Sequence, residues 1–302
     1  MRKFLLSVVL MGSALLGSNA VLAQATSWVP FEHKNGHVRI KVEVAGIESW
    51  AIIDSGSQLN GINLDFLEEH GLEFKSHSTI KVQGVYEVKD RNIFKDIPTK
   101  ILGLELNMEL VGIDFGSSVT SLLIGAPVLN QFVVQFDYPN SRLRFANPGT
   151  FNLRDISNLE MRAQDGTGKP LVKVNLNGES DRWFLLDTGS SGGLMMPRNV
   201  VTSHDWLEKY PIETGMSMGV NGMAPVETFR MPTVGFGPFV LENVKVTLPA
   251  EGSPIEFGEG SRDLGTRMRG VQISGLVGYD LLKHFVLTID YRNGEGHIYV
   301  PQ

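Results

Sequence analysis

The strongest constraint on this chain is that it repeats itself. Asp54-Ser55-Gly56 in the first half returns as Asp187-Thr188-Gly189 in the second, behind apolar runs at Trp50-Ala51-Ile52-Ile53 and Trp183-Phe184-Leu185-Leu186. An alternating apolar-polar segment precedes each, His37 to Gly46 and Pro170 to Gly178. Downstream, Leu122-Leu123-Ile124-Gly125 leads into Phe132 to Tyr138, and Gly275-Leu276-Val277-Gly278 leads into Phe285 to Tyr291. Both halves then close on a short apolar strand, Arg142 to Phe145 and Gly296 to Val300. One such triplet is compatible with an ordinary strand-end turn. Matched segments in the same order, twice, describe a duplicated unit.

The period of the repeats is two, and thirty-three glycines punctuate them, which predicts a mostly β chain with many turns. Helical signals are few. Asn63 to His70 reads as one short helix, capped by Asn63 and stopped by Gly71. Asn199 to Tyr210 reads as a second helix, ahead of Pro211. Short turns of helix are expected after each apolar-Gly segment, at 127–130 and 279–282. Ile80 to Val88 alternates around Gly84. Met216 to Met223 holds Asn221-Gly222, a strong hairpin signal. Both predicted hairpins lie about thirty residues past their aspartate.

Two carboxyls held about 3 Å apart cannot both ionise, so one keeps a proton while the other acts as a base. With the duplication, this ordering resembles the aspartic protease superfamily, and within it a fused pair of retropepsin-like lobes more than a full pepsin. The resemblance covers nearly all of the chain after the first thirty or so residues. It implies a bilobal pepsin/retropepsin-like acid protease fold whose lobes are related by a pseudo-two-fold axis. It makes Asp54 and Asp187 the catalytic pair, supported by Ser55, Gly56, Ser57, Thr188, Gly189 and Ser190. It also makes Gly84, Tyr86, Gly219, Asn221 and Gly222 candidates for flaps that close over substrate. The hydroxyls of Ser55 and Thr188 are expected to bond the opposite lobe's backbone. Those of Ser57 and Ser190 would lower the pKa of the aspartates if they donate to the carboxylates. The implied activity is aspartic-type endopeptidase, a hydrolase needing no metal or organic cofactor. A peptide-binding pseudo-protease on the same fold is the alternative, as is a pair of lobes that each join another subunit. Gln58-Leu59-Asn60-Gly61 after the first motif is bulkier than Ser191-Gly192-Gly193-Leu194 after the second. It either reshapes a pocket or marks a drift of the first lobe toward binding.

Three segments are expected: a signal peptide over 1–25, an N-terminal lobe over 26–150 and a C-terminal lobe over 151–302. Arg2-Lys3, the apolar stretch from Phe4 to Leu16 and the small-x-small Ala23-Gln24-Ala25 compose the leader. Without cysteine there is no lipid-anchor site and no disulfide. Together these point to an exported, periplasmic bacterial protein with no stable membrane insertion after signal removal. A net charge of −6 with scattered basic residues argues against nucleic acid as partner. A peptide or protein substrate is the expected partner, and a monomer suffices because one chain supplies both aspartates. His33 and His37 are four apart, but the strand pattern argues against a metal pair there. The 250–270 loop, rich in glycine, serine and charge, has no counterpart in the first half. It reads as a disordered insertion or as a lid.

Overall fold

A computed structural model describes residues 25–34, 36–83, 88–114, 116–163, 169–219, 222–253 and 271–302. Residues 1–24 of the leader, Gly84, Tyr86, Asn221 and residues 254–270 lie outside that set.

The architecture is mostly β and bilobal. One eight-stranded sheet is built from strands between Glu32 and Ile124, and a second from strands between Met161 and Val277. The two sheets follow the same order of connection, strand for strand. In each, a hairpin (His37–Val44 with Ile47–Ile53; Pro170–Leu176 with Ser180–Leu186) delivers the chain to the aspartate. The strand carrying the later apolar-Gly segment then lies parallel to the delivering strand, with Ile53 opposite Ile124 and Leu186 opposite Val277. The alternation of His37–Val44 is a burial pattern: Val38, Ile40, Val42 and Val44 face the core.

A third sheet of five strands joins the lobes. At its centre Val133–Asp137 runs antiparallel to Val286–Asp290, each wholly buried. These are the repeated Phe-Val-Val and Phe-Val-Leu runs, and burial on both faces explains why they do not alternate. The one polar pair on the seam is satisfied: Gln135 Nε2 donates to Thr288 Oγ1 at 2.8 Å. The repeated aspartates that end these strands close turns. Asp137 Oδ2 accepts from Arg142 Nε at 2.7 Å, and Asp290 Oδ1 accepts from the Arg292 and Asn293 N–H groups, each at 3.0 Å.

Local expectations are met with some corrections. Leu64–Glu69 is a helix, and Asn63 Oδ1 caps it by accepting from the Asp65 N–H at 3.1 Å. The helix expected over Asn199 to Tyr210 is instead two, Arg198–Thr202 and Trp206–Lys209, broken at Asp205, whose φ of 56° cannot continue a right-handed helix. The break seats Trp206 fully inside the core. The early arm is not merely a lead-in: Val29–Pro30 pairs with Arg142–Leu143 at one edge of the interlobe sheet. The connection between the lobes carries a helical turn, Leu153–Ile156, and the strand Met161–Ala163. Both expected hairpins form. Ser76–Gln83 pairs with the start of Val88–Ile101, and Glu213–Gly219 pairs with the start of Gly222–Phe236, with Gly219 opposite Gly222. No helix among the described residues is long and apolar enough to cross a membrane.

Candidate active site

Each aspartate leaves the end of its core strand, where Ile124 O and Val277 O accept from the Asp54 and Asp187 N–H groups at 2.9 Å. The chain then turns on the triplet. Gly56 N–H donates to Asp54 Oδ1 at 2.8 Å and Gly189 N–H donates to Asp187 Oδ1 at 2.9 Å. The glycines are required by approach rather than by φ. A Cβ on Gly56 would lie 2.5–2.6 Å from the Asp187 carboxyl atoms, and one on Gly189 would lie 2.5–2.8 Å from those of Asp54. Each carboxyl is thus packed over the opposite lobe's glycine, and the two carboxyls hydrogen-bond to each other.

The hydroxyls of Ser55 and Thr188 lock the lobes beneath this pair. Ser55 Oγ donates to Leu186 O at 2.7 Å and accepts from the Thr188 N–H at 3.0 Å. Thr188 Oγ1 donates to Ile53 O at 2.8 Å and accepts from the Ser55 N–H at 3.0 Å. All four bonds are buried and cross from one lobe to the other. Removing the Ser55 hydroxyl leaves a buried carbonyl and a buried N–H without partners, each costing about 1–3 kcal/mol. Ser55→Ala is therefore expected to lower the denaturant midpoint, while Ser55→Thr, which keeps the hydroxyl, stays close to wild type.

Behind each turn the apolar-Gly segment is equally close. A Cβ on Gly125 would lie 2.2 Å from Leu59 O, and one on Gly278 would lie 2.6 Å from Gly192 O. The difference after the first motif now has a local reason. In the second lobe Gly193 O accepts from the Gly278 N–H at 2.9 Å, whereas in the first Asn60 Oδ1 accepts from the Gly125 N–H at 3.0 Å. A side-chain amide does there what a main-chain carbonyl does in the other lobe. Gln58 points into solvent. Asn60 was not singled out by its residue type; its signal was only its place five residues before Asp65 in an irregular turn.

The electrostatics are those of one proton on two carboxyls. Burial first, then the Asp54 charge, raise the Asp187 pKa to about 8. Burial also raises Asp54, against the hydrogen bond from Asp187, the positive charge of Lys169 and the N–H groups of Gly56 and Ser57, which favour its charged form. The pair therefore holds one proton well above the ordinary aspartate range and titrates as a unit.

Ser57 and Ser190 do not act as expected. The Ser57 hydroxyl donates to Leu59 O at 2.9 Å, not to a carboxylate, and the Ser190 hydroxyl lies against Gly278. The donors to the carboxylates are main-chain N–H groups. Ser57→Ala and Ser190→Ala are accordingly expected to move the acidic limb of a pH–activity profile by less than about half a unit, because no hydrogen bond to the charged form is lost. A large alkaline shift in either variant would contradict this placement.

Four further side chains surround the pair and had drawn no role from the sequence. Tyr138 and Tyr291, at matching places in the two halves, are buried behind it, and burial holds both phenols above their ordinary range. Tyr291 lies against Ser55. His37 reaches the Gly189 main chain beside Asp187, and burial pulls its pKa down. Lys169 lies near both aspartates; burial lowers its pKa, against the pull of the Asp187 and Asp54 charges, which favour its charged form. In the second lobe Met195 and Met196 are core residues, while Met216 and Met223 stand exposed on the hairpin. Among the described residues no group of three or more histidine, aspartate or glutamate side chains is arranged to hold a metal.

Residues 172–281 match the family model described as aspartyl protease. Among solved structures, 276 chains match. The aspartic proteinase of Irpex lacteus aligns over 92% of this chain and 98% of its own, with a TM-score of 0.54 and 11% identity. The protease of Simian Foamy Virus (mac) aligns over 30% of this chain and 88% of its own, with a TM-score of 0.23 and 18% identity. No curated protein matches. The match over 172–281 is to a protease family, and the fold of the chain is that of the bilobal aspartic proteinases. They support a protease-type function, that of a peptidase hydrolase.

Proposed function

We propose that the protein is an aspartic endopeptidase in which Asp54 and Asp187 activate one water molecule between them. The observation that carries this reading is the meeting of the two carboxyls, each over the opposite lobe's glycine. Asp54, the charged partner, takes a proton from the water as its oxygen attacks the scissile carbonyl carbon. Asp187, the protonated partner, donates to the carbonyl oxygen and offsets the negative charge growing there. The tetrahedral species collapses when the amide nitrogen receives the proton held by Asp54, and the C–N bond breaks. A carboxylic acid and an amine leave, the acid ionising in solvent; Asp187 keeps its proton, and the pair returns to one shared proton.

In this reading the hairpins of Ser76–Gln83 and Glu213–Gly219 with their partner strands would close over an extended peptide laid across the cleft, which would add main-chain hydrogen bonds as a strand does. Exposed Met216 and Met223 give the second hairpin a polarizable apolar surface that adapts to varied side chains. The leader-like first 25 residues and the lack of cysteine support export to a periplasm and action there as a monomer on peptides or proteins.

The test is cleavage of a mixed peptide library from acidic to neutral pH by the protein without its leader, beside folded Asp54→Ala and Asp187→Ala. Cleavage by wild type alone supports the reading. Folded wild type that cuts nothing overturns it in favour of a peptide-binding protein on this fold.

A further inference from the structure

The turn that carries Asp187 does not rest on its own lobe alone. In the first lobe Glu32–Lys34 folds back on His37–Val44, with Lys34 opposite His37. The tip of this hairpin lies against the second lobe at three points. Gly36, at a φ of +85°, would place a Cβ 1.7 Å from that of Ser191 and 2.7 Å from its Cα. His37 reaches the Gly189 main chain. His33 stacks on Tyr279, with ring centroids 3.4 Å apart and planes 9° from parallel.

Each of these contacts falls on the chain that holds the Asp187 carboxyl. The Gly189 N–H donates to Asp187 Oδ1 at 2.9 Å. The Ser190 N–H donates to Asp187 O at 3.2 Å, and the Tyr279 N–H donates to Ser190 O at 2.8 Å. The hairpin itself has a firm footing in the first lobe. Phe31, just before it, is buried, and its N–H donates to Ser141 O at 2.9 Å. Arg39 pairs with Glu32 at 2.8 Å and lies 4.6 Å from the centre of the Trp50 ring. Trp50 belongs to Ile47–Ile53, the strand that delivers Asp54. The hairpin is thus tied to the strand behind one aspartate and bears on the turn of the other. The Ser55 and Thr188 bonds fix Ile53, Leu186 and the two triplets' middle residues. They do not touch Gly189 or Ser191, where the hairpin does.

We infer that the tip of this hairpin is a cross-lobe brace for the reaction, with Gly36 and His37 as positioning residues that keep the Asp187 carboxyl aimed at Asp54. Two carboxyls that share a proton must stay within hydrogen-bond reach, and a misplacement of about 1 Å costs on the order of 10²-fold in rate. A methyl group on Gly36 cannot be absorbed by a rotamer change, because it meets the Cβ and Cα of Ser191. The hairpin or the turn must yield by more than an ångström before ordinary contact at 3.4 Å is regained. The rate effects rest on the endopeptidase reading. The effect on the carboxyl does not.

The test is a size-complementation pair. Gly36→Ala should lower kcat by about tenfold or more while KM stays within about threefold. Ser191→Gly in the same chain removes the Cβ that the new methyl would strike, and kcat should return to within about threefold of the Ser191→Gly parent. The backbone strain of a side chain at a φ of +85° is the same with and without Ser191→Gly, so it lowers the denaturant midpoint of both and cancels from the comparison. His37→Leu should also lower kcat, and His37→Gln, which keeps an N–H donor, should remain closer to wild type. A second readout needs no cleavage. In protein labelled with 13C-aspartate, Gly36→Ala should shift the Asp187 carboxyl signal and leave those of Asp137 and Asp290, in the interlobe sheet, in place. If the folded Gly36→Ala variant keeps wild-type kcat, or if its loss persists when Ser191→Gly is added, the brace is wrong while the endopeptidase reading stands. If wild type cuts no peptide, the endopeptidase reading falls and the carboxyl signal decides alone: a shift upholds the brace, and an unmoved Asp187 signal overturns it.

Discussion

Asn in place of either aspartate is expected to reduce kcat/KM for peptide cleavage by at least about 10³-fold, the scale of a lost general acid or base. Asp54→Asn removes the acceptor of the water's proton. Asp187→Asn removes the proton that meets the scissile carbonyl. The side chain keeps its shape in both, so the Gly56 and Gly189 N–H donors still find an oxygen, and circular dichroism should match wild type. Because the two carboxyls act on one water, the double variant should be little worse than either single one. A single variant that keeps a tenth of the wild-type activity would mean that the chemistry lies elsewhere.

The same substitution should stabilise the protein. The folded pKa of Asp187 is raised, first by burial and then by the Asp54 charge, to about 8, against an unfolded value near 3.9. The sign follows directly: the folded chain holds this proton more tightly, so the stability associated with it is complete below the unfolded value and is lost as pH rises toward the folded one. At pH 7 wild type therefore carries a cost that Asp187→Asn does not. A three-unit window at 1.36 kcal/mol per unit sets an upper bound of about 4 kcal/mol, and roughly 1–3 kcal/mol remains after relaxation and water access. Urea denaturation at pH 4 and pH 7 checks this. The variant should gain on wild type between the two pH values, and an equal difference at both would show that the Asp187 pKa is not raised in the folded protein. Such a gain, set beside the loss of activity, is the trade expected where an active site is built against stability.

These effects arise from contacts that the sequence revealed unevenly. Duplication, the two triplets, the apolar-Gly segments and the capped helix after Asn63 were legible because each is local, set by a period of two or by a turn residue. The cross-lobe bonds of Ser55 and Thr188 span more than 130 residues and were reached only through the resemblance. Ser57 offered the opposite lesson: its hydroxyl could have bonded a carboxylate, but the turn gives it Leu59 O, two residues on. Asn60, His37 and Lys169 were not legible, since each owes its place to a partner from another segment. The joining sheet was legible only as two repeated apolar runs; that they pair with each other, Gln135 opposite Thr288, is a tertiary fact. Nor did the pattern over Asn199 to Tyr210 show that Asp205 would turn left-handed to bury Trp206.

The central claim is that Asp54 and Asp187 share one proton at working pH. It is tested most directly by following the carboxyl carbons of protein labelled with 13C-aspartate from pH 3 to pH 9, with Asp54→Asn and Asp187→Asn to assign the two signals. One carboxyl of the pair should remain protonated at pH 6, well above the ordinary aspartate range, and its signal should titrate at lower pH once the other carboxyl is replaced and its charge removed, while burial still holds it above the ordinary range. Two signals that both ionise below pH 5 in wild type, unchanged in either variant, would contradict the account.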